Sequence, residues 1–224
     1  MDKRIIVAID GPAGAGKSTI ARRLAAKLGF VYIDTGAMYR AVAWWALELE
    51  MPLHDMHRLG QLALASDIHF TAGSSQVLLN GQDVTEAIRK PEISAAASKV
   101  SAIGGVRRAM VDKQRAMAAT ASVVMEGRDI GTIVFPDAQV KVFLDAHQTE
   151  RARRRVDQSG GDFEEVDREM RDRDHRDRSR PESPLVQAPD ACYLDTTGLT
   201  PDDVEQAILK IVRERTSNGK EVTN

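Results

Sequence analysis

Gly11-Pro12-Ala13-Gly14-Ala15-Gly16-Lys17-Ser18-Thr19 satisfies the pattern G-x-x-x-x-G-K-[ST] in full, and its reading decides the fold. Glycines at 11, 14 and 16 let successive backbone N–H groups converge on phosphate oxygens with no Cβ in the way. Lys17 adds a mobile cation for the terminal phosphates, and Ser18 offers a hydroxyl to Mg²⁺. Before the loop, Ile5-Ile6-Val7-Ala8-Ile9 is a continuous apolar run of strand type. Beyond it, Ile20, Leu24 and Leu28 recur at helical spacing. A helix opening at this point brings unpaired N–H groups and a partial positive charge to bear on the same anion. Gly11, Gly14, Ala15, Gly16, Lys17, Ser18 and Thr19 are therefore the expected nucleotide-binding residues.

Working outward, further apolar runs end on polar residues: Phe30 to Ile33 on Asp34-Thr35-Gly36, Val123 to Met125 on Glu126-Gly127-Arg128-Asp129, and Val140 to Leu144 on Asp145. Helical patterns over 38–50 and 106–119 separate them. The alternation predicts an α/β fold with a doubly wound parallel sheet and helices on both faces, ligands lying at the carboxyl ends of the strands. Between these elements, Ile68-His69-Phe70, Gln76 to Leu79 and Gln82-Asp83-Val84 read as short strands joined by Thr71 to Ser75 and by Asn80-Gly81, a hairpin signal. The expectation is one domain over 1–224, with a small antiparallel β insertion over about 60–102.

A formal net charge of −2 gives no general reason to expect nucleic acid as a partner. Cys192 is the single cysteine, so no internal disulfide can form and a reducing cytoplasm fits. The opening Met1-Asp2-Lys3-Arg4 is basic, but the apolar run before Asp10 is too short for a secretory signal, and no run suits a membrane span. A cytoplasmic monomer working on small molecules is expected.

From His147 to Arg180 there are ten arginines, no lysine and ten acidic residues. Solvated helices with i,i+4 ion pairs would use lysine equally well, so exclusive arginine points to planar, bidentate recognition of phosphate or carboxylate. A phosphoryl group in transfer spreads charge over its equatorial oxygens, and the protein's contribution is positioning and well-aimed cations. The segment 147–180 reads as a helical lid, with Arg151, Arg153, Arg154 and Arg155 in one cluster and Arg173, Asp177 and Arg180 at i, i+4, i+7. It could close over a triphosphate held by the glycine loop. An acceptor that is already a phosphate needs no strong base, and histidines 54, 57, 69, 147 and 175 sit in no motif.

Gly11 to Thr19, Asp34-Thr35-Gly36-Ala37-Met38-Tyr39-Arg40, Glu126-Gly127-Arg128-Asp129-Ile130-Gly131 and Arg173 to Arg180, in this order and spacing, resemble the bacterial cytidylate kinases. The resemblance covers nearly the whole chain. It implies a P-loop kinase core, an inserted monophosphate-binding subdomain and a lid. It implies transfer of the γ-phosphate of ATP to CMP or dCMP with Mg²⁺. By the same resemblance Thr35, Arg40, Ser98, Arg107, Arg128, Asp129, Arg173 and Asp177 bind the acceptor, with Ser98 and Asp129 reading the cytosine edge. Lys17, Arg128, Arg154 and Arg180 act on the phosphates. A carboxylate suits cytosine, whose exocyclic amino group donates where uracil presents an acceptor.

Asp34 could hold a Mg²⁺-bound water or simply cap the following helix. At least one of Trp44 and Trp45 belongs in a core, and Cys192 reads as a small buried residue. Two rivals remain: a P-loop kinase for another monophosphate or a small alcohol, and an ATP-binding regulatory module without chemistry.

Overall fold

The computed structural model describes residues 4–71 and 75–217. Residues 1–3 of the basic opening and 72–74 of the first hairpin connection lie outside these. The chain divides into two compact units, Met1–Tyr32 with Thr120–Asn224, and Ile33–Ala119.

The central sheet, ordered β2-β6-β1-β7-β8, is formed by β1 (Ile6–Asp10), β2 (Val31–Asp34), β6 (Val123–Gly127), β7 (Val140–Asp145) and β8 (Cys192–Asp195), and all of it but Ile33 and Asp34 belongs to the first unit. Strand β1 pairs in parallel with β6 on one side and β7 on the other, and β7 pairs in parallel with β8. Buried on both faces, the central strands carry the β-branched run that such strands need. Val7, Ile9, Val124, Val142 and Leu144 meet Ile20 and Leu24 of α1 (Lys17–Leu28) and Val204, Ile208 and Val212 of α8 (Pro201–Ser217) in one core. Helix α1 ends at Gly29, whose φ of 68° is left-handed and whose N–H returns to the Ala25 carbonyl. Helices α6 (Gln148–Ser159) and α7 (Phe163–Ser179) pack on each other across the arginine-rich segment. The short strand β8 and helix α8 add to the elements legible in the sequence.

The second unit has its own core, formed by α2 (Thr35–Glu48), α3 (Met56–Ala65), α4 (Pro91–Val100), α5 (Gly104–Met117) and a sheet ordered β3-β4-β5. Those strands are Ile68–Phe70, Val77–Leu79 and Gln82–Asp83, paired antiparallel. Asn80 and Gly81 bridge β4 and β5 with φ of 51° and 80°, the two left-handed residues of a two-residue hairpin turn. Gly60 of α3 and Gly105 of α5 let the helices approach until a Cβ added at Gly60 would lie 3.6 Å from the Gly105 Cα. The unit contains the interval 60–102 and extends past it on both sides, because α2 and α5 share its core. Trp44 and Trp45 are both half-buried against that core, and Cys192 is half-buried on β8 rather than enclosed.

Candidate active site

Strand β1 delivers the chain into the glycine loop at Asp10, and the loop ends where α1 begins. Gly11, Gly14 and Gly16 have φ of 146°, 75° and 88°, conformations that side-chain-bearing residues rarely adopt. A Cβ at Gly11 would collide with the Leu144 carbonyl, and one at Gly14 would stand 2.7 Å from the Arg151 carbonyl oxygen. These two glycines thus serve close packing of the loop on β7 and α6 as well as its curvature. Ala15 is buried, whereas Ser18 and Thr19 face outward in the first turn of α1.

Lys17 is 5% exposed, and its Nζ donates to the Pro12 carbonyl at 2.6 Å. Burial, with Arg128 and Arg173 nearby, lowers its pKa to about 7 against the opposing pull of Glu126 and Asp10. An ammonium held this poorly would be stabilised by an anion placed beside it. Around it the arginines are tied by acid groups. Arg128 Nε donates to Asp177 Oδ2 at 3.0 Å and Arg128 Nη1 to the Gly127 carbonyl at 3.1 Å. Arg180 Nη1 lies 3.5 Å from Asp177 Oδ1, and its Nε donates to the Ser183 carbonyl. Although burial works against it, the guanidinium groups of Arg128, Arg173 and Arg180 hold the Asp177 carboxyl below its ordinary range. The arrangement is a cationic group strung on one buried carboxylate.

Arg173 and Asp177 lie on α7, but Arg180 lies just past its end. Its φ of −64° and ψ of 140° are extended. The following Pro181 disfavours helical backbone at the residue before it. Asp129 follows β6, is 4% exposed, and opens a short π-helix, Ile130–Val134, its carbonyl accepting from Ile133 and Val134 N–H.

The other arginines divide by role. Arg154 places Nη1 3.9 Å from where a Cβ of Gly16 would stand, and donates to Thr196 Oγ1 at 3.0 Å, the Thr196 carbonyl at 2.8 Å and Glu150 at 3.2 Å. Arg151 is buried. It donates to the Ala13 carbonyl at 3.0 Å, the Ala146 carbonyl at 3.0 Å and Asp174 Oδ2 at 2.6 Å, and it also bonds Gln148. It is therefore a strut between α6, α7 and the loop. Arg153 is exposed.

In the second unit, Thr35 is buried at the first position of α2. Asp34 caps that helix by accepting from Ala37 N–H at 2.9 Å, and its other oxygen accepts from Arg40 Nη2 at 2.9 Å. Gly36 leaves room for this, since a Cβ there would stand 3.1 Å from both Arg40 Nη1 and Asp34 Oδ1. Ser98 is buried on α4. Arg107, 3% exposed on α5, lies 5.4 Å over the Tyr39 ring and donates to the Ser101 carbonyl at 3.1 Å. All five histidines are exposed.

A family model described as cytidylate kinase matches residues 7–214. The chain belongs to the cytidylate kinase family. It is 58% identical over 229 residues to a cytidylate kinase of Solibacter usitatus, covering 98% of this chain and 97% of that one. It is 46% identical over 225 residues to a cytidylate kinase of Desulfitobacterium hafniense, with 98% and 97% covered. Among solved structures, a gluconokinase from Sinorhizobium meliloti superposes with a TM-score of 0.52 at 10% identity, covering 98% of both chains. That likeness concerns the fold: a P-loop kinase core with the expected mixed α/β architecture. Among the described residues, no helix is long and apolar enough to cross a membrane.

Asp10, Glu126 and Thr196 also take part in the contacts around the loop and strand ends, without a sequence expectation attached to them. Glu126 is 4% exposed and accepts from Tyr32 OH at 2.6 Å. Thr196 Oγ1 reaches the Asp145 carbonyl at 3.0 Å and the Ala15 carbonyl at 3.4 Å. For Asp10 and Glu126 a signal was present, an acid at the carboxyl end of a buried strand.

Proposed function

We infer that this member of the cytidylate kinase family transfers the γ-phosphate of ATP to CMP or dCMP, giving CDP or dCDP and ADP. Its substrates are ATP and the cytidine monophosphates. The observation that carries the site assignment is the buried Lys17 ammonium beside Arg128 and Arg173, with Asp177 tying Arg128 to Arg180. A charged group of this density at the mouth of a glycine loop suits phosphates and little else.

In this reading Gly11 to Thr19 hold the ATP phosphates through backbone N–H groups. Lys17, Arg128, Arg154 and Arg180 neutralise the charge on the transferring group. Thr35, Arg40, Ser98, Arg107, Arg128, Asp129, Arg173 and Asp177 bind the acceptor. Ser98 and Asp129 read the cytosine amino edge. A uracil would set acceptor against acceptor and leave both unpaired. The acceptor phosphate is anionic at neutral pH, so its oxygen attacks without a base.

The donor set near the loop fits Mg²⁺. Ser18 exposes a hydroxyl in the first turn of α1, an oxygen donor of the kind Mg²⁺ takes. A cation that keeps its waters and takes phosphate oxygens needs no more than that. Mg²⁺ held beside Ser18 would supply positive charge against that developing on the phosphates. Asp34 is engaged as helix cap and Arg40 partner, the simpler of its two readings. Residues 147–180 act as the lid, 60–102 as the monophosphate-binding insertion, and the chain works as a cytoplasmic monomer.

Calorimetric titration of CMP into Arg40→Ala and Arg128→Ala tests the assignment. Each variant should bind CMP at least about tenfold more weakly, with ATP affinity nearly unchanged. Unaltered CMP binding in both would remove these arginines from the site.

A further inference from the structure

We propose that Asp10 is a positioning residue that locks the segment carrying Arg128 and Asp129 to the start of the glycine loop. Its two carboxylate oxygens accept from two successive backbone amides, Oδ1 from Ile130 N–H at 2.8 Å and Oδ2 from Gly131 N–H at 2.7 Å. Asp10 is 5% exposed. It is the last residue of β1, paired in register with Gly127 of β6, and the next residue, Gly11, opens the cradle. One side chain thus spans the step from the donor loop to the Gly127-to-Gly131 turn.

The turn is shaped to receive that carboxylate. A Cβ at Gly131 would stand 3.4 Å from Asp10 Oδ2, 3.1 Å from Lys141 Cδ and 3.3 Å from Lys141 Cγ. The Lys141 stem is in turn fixed, its Nζ donating to both Asp190 oxygens, at 2.9 and 2.8 Å, and to the Pro136 carbonyl. Asp10 and the Lys141 stem, both against Gly131, therefore set the turn's position together. An ångström of drift there would misplace both the guanidinium of Arg128 and the carboxylate of Asp129. Burying a carboxylate beside a second one, Asp129, raises the free energy of Asp10, as its pKa of about 6 reflects, and the paired amides only partly offset this.

The proposal rests on the assignment of Arg128 and Asp129 to the acceptor. Its test is steady-state kinetics on the full-length chain as Asp10→Asn, Gly131→Ala and, for reference, Asp129→Ala. An asparagine amide turns a donor onto one of the two N–H groups; the alanine adds a methyl where Gly131 meets the Lys141 stem and Asp10 Oδ2, and tests the same clamp even where the asparagine variant fails to fold. Both should raise the KM for CMP about tenfold or more and lower the CMP-to-UMP preference, with ATP affinity held within about twofold. A purely structural role would lower the melting temperature and leave those ratios alone. Unchanged CMP kinetics in a folded Gly131→Ala, or equal loss toward ATP and CMP, overturns the proposal. If Asp129→Ala also leaves the CMP preference intact, the acceptor reading itself fails and takes the proposal with it.

Discussion

Arg128 and Asp177 form a 3.0 Å bond with side chains 18% and 7% exposed, and the Asp177 carboxylate also faces Arg180 at 3.5 Å. One acid thus sets the direction of two of the cations proposed to act on phosphate. Asp177→Ala should lower kcat by about 10²-fold, because misdirected charge contributes little to a transition state. Asp177→Glu should recover part of the loss. Single-turnover transfer from ATP to CMP measures both.

Asp129→Ala should lose the preference for CMP over UMP, a change of about 2 kcal/mol or more in the ratio of kcat/KM values, while ATP binding stays near normal. Competition between the two monophosphates in one assay reads this directly. A retained preference would transfer the reading of the base to other residues.

Arg151 and Asp174 are each only 5% exposed at the side chain and pair at 2.6 Å. Breaking such a pair from one side leaves a buried charge alone, so Arg151→Ala should cost about 3–5 kcal/mol. For a chain of this size that lowers the melting temperature by about 10 °C. Scanning calorimetry of the variant against Arg153→Ala, whose residue is exposed, separates a strut from a surface charge.

Asp10 should leave a pH signature in stability. Burial raises its pKa to about 6 from 3.8, so the folded state binds the proton more tightly than the unfolded state. The contribution is fully present below about pH 4 and lost as pH rises through 6, about 3 kcal/mol in all. Lys17 on α1 and Asp129 after β6 face the group, and Lys17 titrates above this window, near 7. Relative to Asp10→Asn, the parent should therefore lose stability between pH 4.5 and 6.5 in denaturant titrations. A constant difference would mean that Asp10 is ionised throughout.

The lid assignment predicts slower hydrogen exchange over 147–180 when a bisubstrate analogue joining ATP to CMP is bound. Exchange that ignores the analogue would leave α6 and α7 as static packing.

What could be read in the sequence was local. The loop from Gly11 to Thr19 declares itself because its backbone conformation demands glycine within a few positions. Asn80-Gly81 predicts its hairpin because both residues must take positive φ. Asp34 precedes α2 as an acid that caps. The remainder depends on partners far along the chain. Asp10 acquires its role from amides 120 and 121 residues away. Arg151 looks like its neighbours 153 to 155 until the Ala13 carbonyl, 138 residues distant, singles it out. Strand β8 has only four residues of mixed burial, too brief for a periodic signal. Helical spacing extended α7 to Arg180, where Pro181 ends it one residue sooner.

Acceptor choice is the most direct test of transfer from ATP to CMP. ADP release should be measured with ATP, Mg²⁺ and each common nucleoside monophosphate in turn. CMP and dCMP should be turned over rapidly, and UMP, AMP and GMP slowly. Equal rates with UMP, or no release above background with any acceptor, would contradict it.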